Sequence, residues 1–241
     1  MTRQLHRIRE EVLARFMPRA TERVWLNSFP RSGNTWLRRL LYHSLFGNQA
    51  DEAKIRKTVP DIHRGWDVFN LRNSSSCFAK SHFSFSPIYQ RVVYMIRDPL
   101  DTLASYGKYE RLEIGAFLER ELDSGGIYGR WDDHVRSYLD AGLSNQQLLV
   151  LRYESMLENP VEAIRSILTF ANLDFDEGRV FSACETELNR LLGNDAGTYE
   201  EKLKQSLELM RNKGAQVLSD DQRQQILDSP IGELRKELGY S

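Results

Sequence analysis

Apolar and polar positions follow one another along the chain in blocks that predict strands followed by helices. Apolar, β-favouring runs predict strands at residues 23–29, 91–96 and 147–152, and a shorter run predicts one at 76–81. Apolar positions at helical spacing follow these runs, as in Leu37, Leu40, Leu41 and Leu45. Strands that alternate with helices predict an α/β fold whose parallel sheet is covered on both faces.

Caps and breaks divide the helical regions. Gly47 is a natural stop for the first helix, and Pro99 suits the first turn of the next. Asn159-Pro160 predicts another helix start. Further helices are predicted at residues 113–124, 131–141 and, with breaks at 193–197, 213–219 and Pro230, from residue 177 onward. Residues 1–19 predict an amphipathic helix. The polar, irregular stretch 48–73 is either a loop over a site or a surface insertion.

Composition favours one globular domain over residues 1–241, with residues 199–241 as a helical C-terminal part. Thirty-three Lys and Arg residues against 34 Asp and Glu residues leave a net charge of −1, so we expect no nucleic-acid partner. No run reaches the ~18 apolar residues of a membrane span. Cys77 and Cys184 lie far apart, which favours reduced thiols and a cytoplasmic location. The oligomeric state has no signature in the sequence.

The stretch that follows the first predicted strand reads Ser28-Phe29-Pro30-Arg31-Ser32-Gly33-Asn34-Thr35-Trp36. A strand that turns through Gly33 directly into a helix presents backbone N–H groups at the positive end of the helix dipole, which makes an anion-binding turn. In an ATP-binding P-loop, a Lys follows the second Gly. Asn34 stands there, and Arg31 supplies the cation instead. These residues favour a phosphate ligand other than ATP, and a degenerate, non-binding turn stays open.

A second polar pair lies after the strand at residues 91–96. Arg97 sits at the carboxyl end of that strand, the edge where open α/β sheets bind ligands. Ser105 falls about two turns into the following helix, so both side chains could reach one phosphate from two sides.

These motifs, together with Lys80-Ser81-His82, Arg152-Tyr153-Glu154 and Lys213-Gly214, resemble in their order the sulfotransferase family. The family uses 3′-phosphoadenosine 5′-phosphosulfate (PAPS) and releases adenosine 3′,5′-bisphosphate (PAP). The resemblance implies a three-layer, P-loop-like α/β domain around a central parallel sheet of about five strands. It also implies transfer of a sulfuryl group to a small-molecule alcohol, phenol or amine, without a metal ion.

The resemblance further implies a role for each matching residue. The turn residues Arg31, Ser32, Gly33, Asn34 and Thr35 would cradle the 5′-phosphosulfate. Adenine would contact Trp36 and Tyr153, and the 3′-phosphate would contact Arg97, Ser105 and the loop of Arg211, Lys213 and Gly214. His82 would be the general base, assisted by the cations of Lys80 and Arg31.

Three positions depart from the family pattern, and in the third Val217-Leu218-Ser219 stands where an aromatic residue often follows the C-terminal loop. Arg31 replaces the usual Lys, which keeps the charge but removes a practical proton donor. The usual Arg-Lys-Gly reads Asn212-Lys213-Gly214, so either Arg211 or Lys213 could meet the 3′-phosphate. Two alternatives to a sulfotransferase stay open from the sequence: a P-loop small-molecule kinase and a nucleotide-binding module without catalysis.

Other polar residues have no motif around them. His6, His43, His63 and His134 are expected to be structural or surface residues. Arg38 and Arg39 are expected on the exposed face of the first helix. We expect the acceptor pocket to be lined by residues 48–73, residues 83–89 and the helical region after Glu110.

Overall fold

The computed structural model describes residues 23–47, 51–63, 77–193, 197–210 and 215–240. Its strands, in chain order, are β1 (Val24–Ser28), β2 (Phe78–Ser81), β3 (Arg91–Ile96) and β4 (Leu148–Arg152). Its α-helices are α1 (Asn34–Phe46), α2 (Glu52–Thr58), α3 (Pro99–Glu110), α4 (Ile114–Asp123), α5 (Trp131–Leu139), α6 (Tyr153–Glu158), α7 (Pro160–Phe170), α8 (Glu177–Leu192), α9 (Tyr199–Met210), α10 (Asp220–Leu227) and α11 (Pro230–Glu237). A short 3₁₀ helix spans Ala215–Val217. The helix expected at residues 1–19 lies outside the described residues.

The four strands form one parallel sheet in the order β2-β1-β3-β4. An isolated parallel bridge between Asp61 and Lys80 adds a short paired segment beside β2. The predicted α/β class with a parallel sheet is therefore confirmed, with four strands in the described part of the chain where about five were expected.

Successive residues of the strands enter two separate apolar clusters, because side chains alternate between the faces of a sheet. Trp25 and Tyr94 pack on one face with α3, α4 and α5. Leu26 and Val93 pack on the other face with α1, α6, α7 and α8. The domain accordingly has three layers, helices on either side of the sheet.

Local signals explain where the principal helices begin. The Asp98 side chain accepts from the Leu100 N–H and Pro99 occupies the first turn of α3. The Asn159 side chain accepts from the Glu162 N–H at 3.2 Å and caps α7 in the same way. Both starts agree with the sequence prediction.

The expected exposure of Arg38 and Arg39 is wrong. Arg38 is buried and its guanidinium donates to the Val59 carbonyl. Arg39 donates from Nε to both carboxylate oxygens of Glu187 on α8, at 2.9 and 3.0 Å. Apolar periodicity identifies the face of α1 that packs into the core. It does not identify the polar contacts of Arg38 with the Val59 carbonyl and of Arg39 with Glu187 on α8.

β2 and β3 lie on opposite sides of β1, so the strand order reverses at β1. The carboxyl end of β1 is therefore the topological switch point of the sheet. Because the sheet is parallel, the turns that follow β1, β2 and β3 lie at its carboxyl edge, the edge where open α/β sheets bind their ligands. Among the helices of the described residues, none is both long enough and apolar enough to span a membrane.

Candidate active site

The turn between β1 and α1 depends on a left-handed backbone. Arg31 has φ 69° and Gly33 has φ 96°, and no side chain in the described part of the chain caps the N-terminus of α1. A Cβ on Gly33 would lie 2.3 Å from Cδ2 of Tyr153, so only glycine fits at this position. The first turn of α1 contains no acidic residue. Backbone N–H groups at a helix N-terminus without a competing cap or negative charge are suited to bind an anion.

The other predicted residues of this turn differ in orientation. Ser32 Oγ is buried and has no hydrogen-bond partner among the described residues. Asn34 turns inward, and its Nδ2 donates to the Leu26 carbonyl at 3.0 Å and to Ser28 Oγ at 3.3 Å. Thr35 is exposed, whereas Trp36 is buried in the core with Leu37. The Asn34 amide is therefore a structural anchor of the turn, at the position where a P-loop has its phosphate-binding Lys.

Arg31, Arg97 and Ser105 converge beside this turn. Arg31 Nε donates to Ser105 Oγ at 3.2 Å, and Arg97 Nη1 donates to the Arg31 carbonyl at 3.2 Å. Arg97 is buried, forms an ion pair with Asp101 at 3.4 Å and holds its guanidinium 4.5 Å from the centre of the Tyr153 ring. Arg97 Nε has no partner in the described part of the chain. An orphaned guanidinium N–H next to a helix N-terminus fits a phosphate oxygen.

His82 lies immediately after β2, one strand away from the anion-binding turn. Its Nδ1 donates to the Ser28 carbonyl oxygen at 2.8 Å, so Nε2 is left without a hydrogen in the neutral ring. Burial lowers the pKa of His82 well below its ordinary value, and the positive charge of Lys80 acts in the same direction. The ring is therefore neutral at neutral pH, the form that can accept a proton.

Two further histidines hold the His82 backbone, and sequence reasoning gave neither of them a role in the site. The His82 N–H donates to His63 Nε2 at 2.7 Å, and His134 Nε2 donates to the His82 carbonyl at 3.0 Å. His134 Nδ1 in turn accepts from the Tyr94 hydroxyl at 2.7 Å. Burial lowers the pKa of His134 to about 4. The expectation that these histidines are structural holds for His134, yet its contact is with the candidate base itself.

Lys80 is buried on β2 and its Nζ lies 2.6 Å from Asp61 Oδ2. Burial alone would raise the pKa of Asp61, but the attraction of the Lys80 ammonium and its hydrogen bond leave that pKa below its usual value. The expected second cation of the site is thus held by a carboxylate in this structure.

Aromatic rings lie beside His82. The Tyr128 ring lies 5.9 Å from the His82 ring and 5.7 Å from that of Phe83, measured between centroids. A tight turn presents Tyr128, since the Gly129 N–H donates to the Gly126 carbonyl at 3.1 Å. A planar or apolar molecule could pack against these rings next to the candidate base.

The structure thus brings the predicted residues into two adjoining groups. Gly33, Arg31, Arg97, Ser105 and Tyr153 form the first, and Lys80 and His82 form the second. Ser28 joins them, because its carbonyl accepts from His82 while its hydroxyl accepts from Asn34.

Arg211, Lys213 and Gly214 lie outside the described residues. No group of three His, Cys, Asp or Glu side chains within the described ranges is arranged to hold a metal ion.

Comparison with known proteins points in one direction. The family described as "Sulfotransferase domain" matches residues 21–216. Cytosolic sulfotransferase 1 of Danio rerio is 26% identical over 176 residues, which cover 62% of this chain and 59% of that protein. Sulfotransferase 1 family member D1 of Mus musculus is 27% identical over 181 residues, which cover 64% of this chain and 60% of that protein. The matches therefore span about three fifths of the length of these relatives.

Solved structures show the same fold. Mouse sulfotransferase SULT7A1, complexed with PAP, superposes with a TM-score of 0.65 at 18% identity, covering 95% of this chain and 91% of that one. Retinol dehydratase, in a complex with retinol and PAP, superposes with a TM-score of 0.60 at 16% identity, covering 93% and 83%. Both superpositions cover more than nine tenths of this chain.

Proposed function

Because the chain belongs to the sulfotransferase family, we propose that it transfers the sulfuryl group of PAPS to a small molecule and releases PAP. One observation carries the proposal: an anion-binding turn, a buried Arg97 whose Nε has no partner among the described residues, and a neutral His82 follow the strands β1, β3 and β2 at the same edge of the sheet. The first two supply sites for two separate anionic groups, as PAPS requires, and the third supplies a base.

The turn residues Arg31, Ser32, Gly33, Asn34 and Thr35 bind the 5′-phosphosulfate in this proposal. Their backbone N–H groups suit a negative charge, since within the described residues no side chain caps this helix start and Ser32 Oγ has no hydrogen-bond partner. Arg31 stabilises the charge that develops on the leaving phosphate as the sulfur–oxygen bond breaks. Its role is electrostatic, because a guanidinium does not release a proton near neutral pH.

Arg97 and Ser105 bind the 3′-phosphate, which distinguishes PAPS from ordinary adenylates. The Arg97 guanidinium is oriented by the Tyr153 ring and by the Arg31 carbonyl, and Arg31 itself reaches Ser105. We assign the adenine to Trp36 and Tyr153. Lys213 and Gly214 complete this end of the site, and either Arg211 or Lys213 meets the 3′-phosphate; the family resemblance supports these assignments.

His82 is the general base of the proposed reaction. Its Nε2 takes the proton of the acceptor hydroxyl or amine as the acceptor atom bonds to sulfur. The electron pair of the breaking bond leaves with the phosphate of PAP. Sulfuryl transfer resembles phosphoryl transfer in its loose, in-line transition state, so positioning and charge stabilisation supply most of the rate. The Lys80 ammonium contributes positive charge beside His82, and the proposal includes no metal ion.

The acceptor is a small alcohol, phenol or amine. The rings of Phe83 and Tyr128 beside His82 support a planar or apolar acceptor. We place the activity in the cytoplasm, which is supported by the relative from Danio rerio that is named a cytosolic sulfotransferase.

We also propose that residues 1–241 form one sulfotransferase domain. The C-terminal helix supports this organisation, because Arg235 on α11 donates to both carboxylate oxygens of Asp98, at 3.0 and 2.8 Å. Its contact partner directly follows Arg97. A single cooperative unfolding transition in urea is the expected result, and two separated transitions would contradict it.

The function is tested by incubating the protein with PAPS and a panel of alcohols, phenols and amines, and measuring PAP release. Acceptor-dependent PAP release is expected, with no turnover of ATP and Mg²⁺ against the same panel. Turnover of ATP without turnover of PAPS would contradict the proposal and favour a kinase. Tight PAP binding with no turnover of any acceptor would favour a binding module.

A further inference from the structure

A short strip, Pro60 to His63, runs beside β2 and follows the helix α2. The Lys80 N–H donates to the Pro60 carbonyl at 2.8 Å, and the Ile62 N–H donates to the Lys80 carbonyl at 3.1 Å. This backbone pairing places the strip directly against the strand that carries Lys80 and ends before His82. Sequence reasoning assigned the strip to an irregular loop.

The side chains of the strip make two kinds of contact. Ile62 is buried and packs into the apolar core. Asp61 and His63, which flank it, contact the two residues to which the proposed function gives catalytic roles. Ile62 and the backbone hydrogen bonds thus anchor the strip beside β2.

The Asp61 carboxylate contacts both Lys80 and His63. Its Oδ2 lies 2.6 Å from Lys80 Nζ, and its Oδ1 accepts from the His63 N–H at 3.1 Å. Lys80 and Asp61 are both buried, so this carboxylate offsets part of the cost of removing the ammonium from water.

His63 reaches His82. Its Nε2 accepts the His82 N–H at 2.7 Å, and its ring lies 5.4 Å from the His82 ring in a stacked arrangement. An accepting Nε2 carries no hydrogen, so the neutral His63 ring has its proton on Nδ1. The same contact fixes the peptide from which the His82 side chain projects.

We propose that Asp61 and His63 are positioning residues of this active site, Asp61 for the Lys80 ammonium and His63 for the His82 imidazole. The inference rests on the proposed function for its catalytic consequence. His63 holds the His82 peptide, so that Nδ1 stays bonded to the Ser28 carbonyl and Nε2 stays bare for the acceptor proton. Neither side chain touches the reacting atoms.

The test compares His63→Ala, His63→Gln, Asp61→Asn and the control Lys57→Ala on the exposed face of α2. His63→Ala removes the acceptor for the His82 N–H and should lower kcat about 10- to 100-fold, the cost of a misplaced catalytic group. PAP affinity should stay at the wild-type level. His63→Gln offers an amide oxygen and should recover most of kcat. Asp61→Asn should lower kcat about 10-fold through the displaced ammonium, and Lys57→Ala should change nothing.

A nitrogen-15 spectrum of the histidine rings gives a readout that needs no activity. The wild type and His63→Gln should show His82 as the Nδ1–H form, and His63→Ala should show a mixture of both tautomers. Unchanged kcat and an unchanged His82 tautomer in His63→Ala would overturn the inference, as would equal losses in His63→Gln and His63→Ala. Failure of the wild type to bind PAP would overturn the proposed function instead, and the tautomer result would still decide whether His63 positions His82.

Discussion

The turn after β1 and the turn after β2 end neighbouring parallel strands, yet they hold their polar groups by different means. The first is shaped by its own backbone, with Gly33 at φ 96° leading straight into α1. The second is held by side chains from other segments of the chain, because His63 and His134 bind the N–H and the carbonyl of His82.

The difference separates two kinds of precision. A phosphate is bound by N–H groups that any well-formed helix start presents, so local chain geometry is enough on that side. A general base needs one ring in one tautomer at one angle, and that requires partners from remote segments. We call the turn after β1 the phosphate side and the turn after β2, with His82, the base side. We expect backbone changes to impair the phosphate side and side-chain deletions to impair the base side.

The largest effect is expected from Gly33→Ala. The new Cβ would lie 2.3 Å from the Tyr153 ring in a backbone conformation that alanine rarely adopts. We expect a loss of about 3 kcal/mol in the free energy of unfolding and PAP binding too weak to measure by calorimetry. Gly47→Ala is a matched control, since Gly47 has φ 88° and no atom of the described residues lies within 4 Å of its missing Cβ. It should lose about 1 kcal/mol and bind PAP normally. Equal effects of both changes would contradict a specific Gly33–Tyr153 contact.

On the base side, His82→Ala should leave PAP affinity at the wild-type level and lower kcat about 100-fold or more, because the proton acceptor is lost. His43→Ala serves as the control. His43 is buried and lies 3.2 Å from Glu187 on the opposite face of the sheet, so its loss should lower stability but not turnover of the folded enzyme. Full turnover by His82→Ala would remove the base from this position.

Much of the phosphate side was predictable because its signals are local. A buried strand, a glycine and a helix start within nine residues indicate an anion-binding turn. Pro99, two residues after Arg97, indicates the start of the next helix. His63 and His134 were not predictable, since their contacts with His82 span 19 and 52 residues of sequence. Arg39 was misplaced for the same reason, because its partner Glu187 is 148 residues away. Periodicity reports which face of a helix is apolar, and it carries no information about polar partners on other elements.

The base side should also make stability depend on pH. Burial holds the pKa of His134 at about 4 and lowers that of His82, whereas the unfolded rings titrate near 6.5. Below pH 6.5 the unfolded state therefore binds protons that the folded state does not, and stability falls as the pH falls. For His134 the loss between pH 8 and pH 5 is about 2 kcal/mol, and His82 adds to it.

Urea midpoints at the two pH values measure this loss. His134→Gln removes one of the two rings and should reduce the difference between the midpoints. A midpoint at pH 5 equal to or above that at pH 8 would contradict the account of the base side.

The smallest effect is expected from Ser105→Ala on the phosphate side. The change removes one hydroxyl, which accepts from Arg31 Nε at 3.2 Å, and leaves the backbone intact. PAP affinity should fall about fivefold, the usual worth of one hydrogen bond, and affinity for 5′-AMP should not change. Calorimetry on both ligands measures the difference. A parallel fall for both nucleotides would show that Ser105 acts on the turn and not on the 3′-phosphate.

The most direct test of the central claim is the calorimetric affinity of the wild-type protein for PAP and for 5′-AMP under identical conditions. The two ligands differ only in the 3′-phosphate, which Arg97 and Ser105 are proposed to bind. PAP should bind about 100-fold more tightly than 5′-AMP, since charge-assisted hydrogen bonds to a guanidinium are among the strongest available. Equal affinity for the two nucleotides would contradict it.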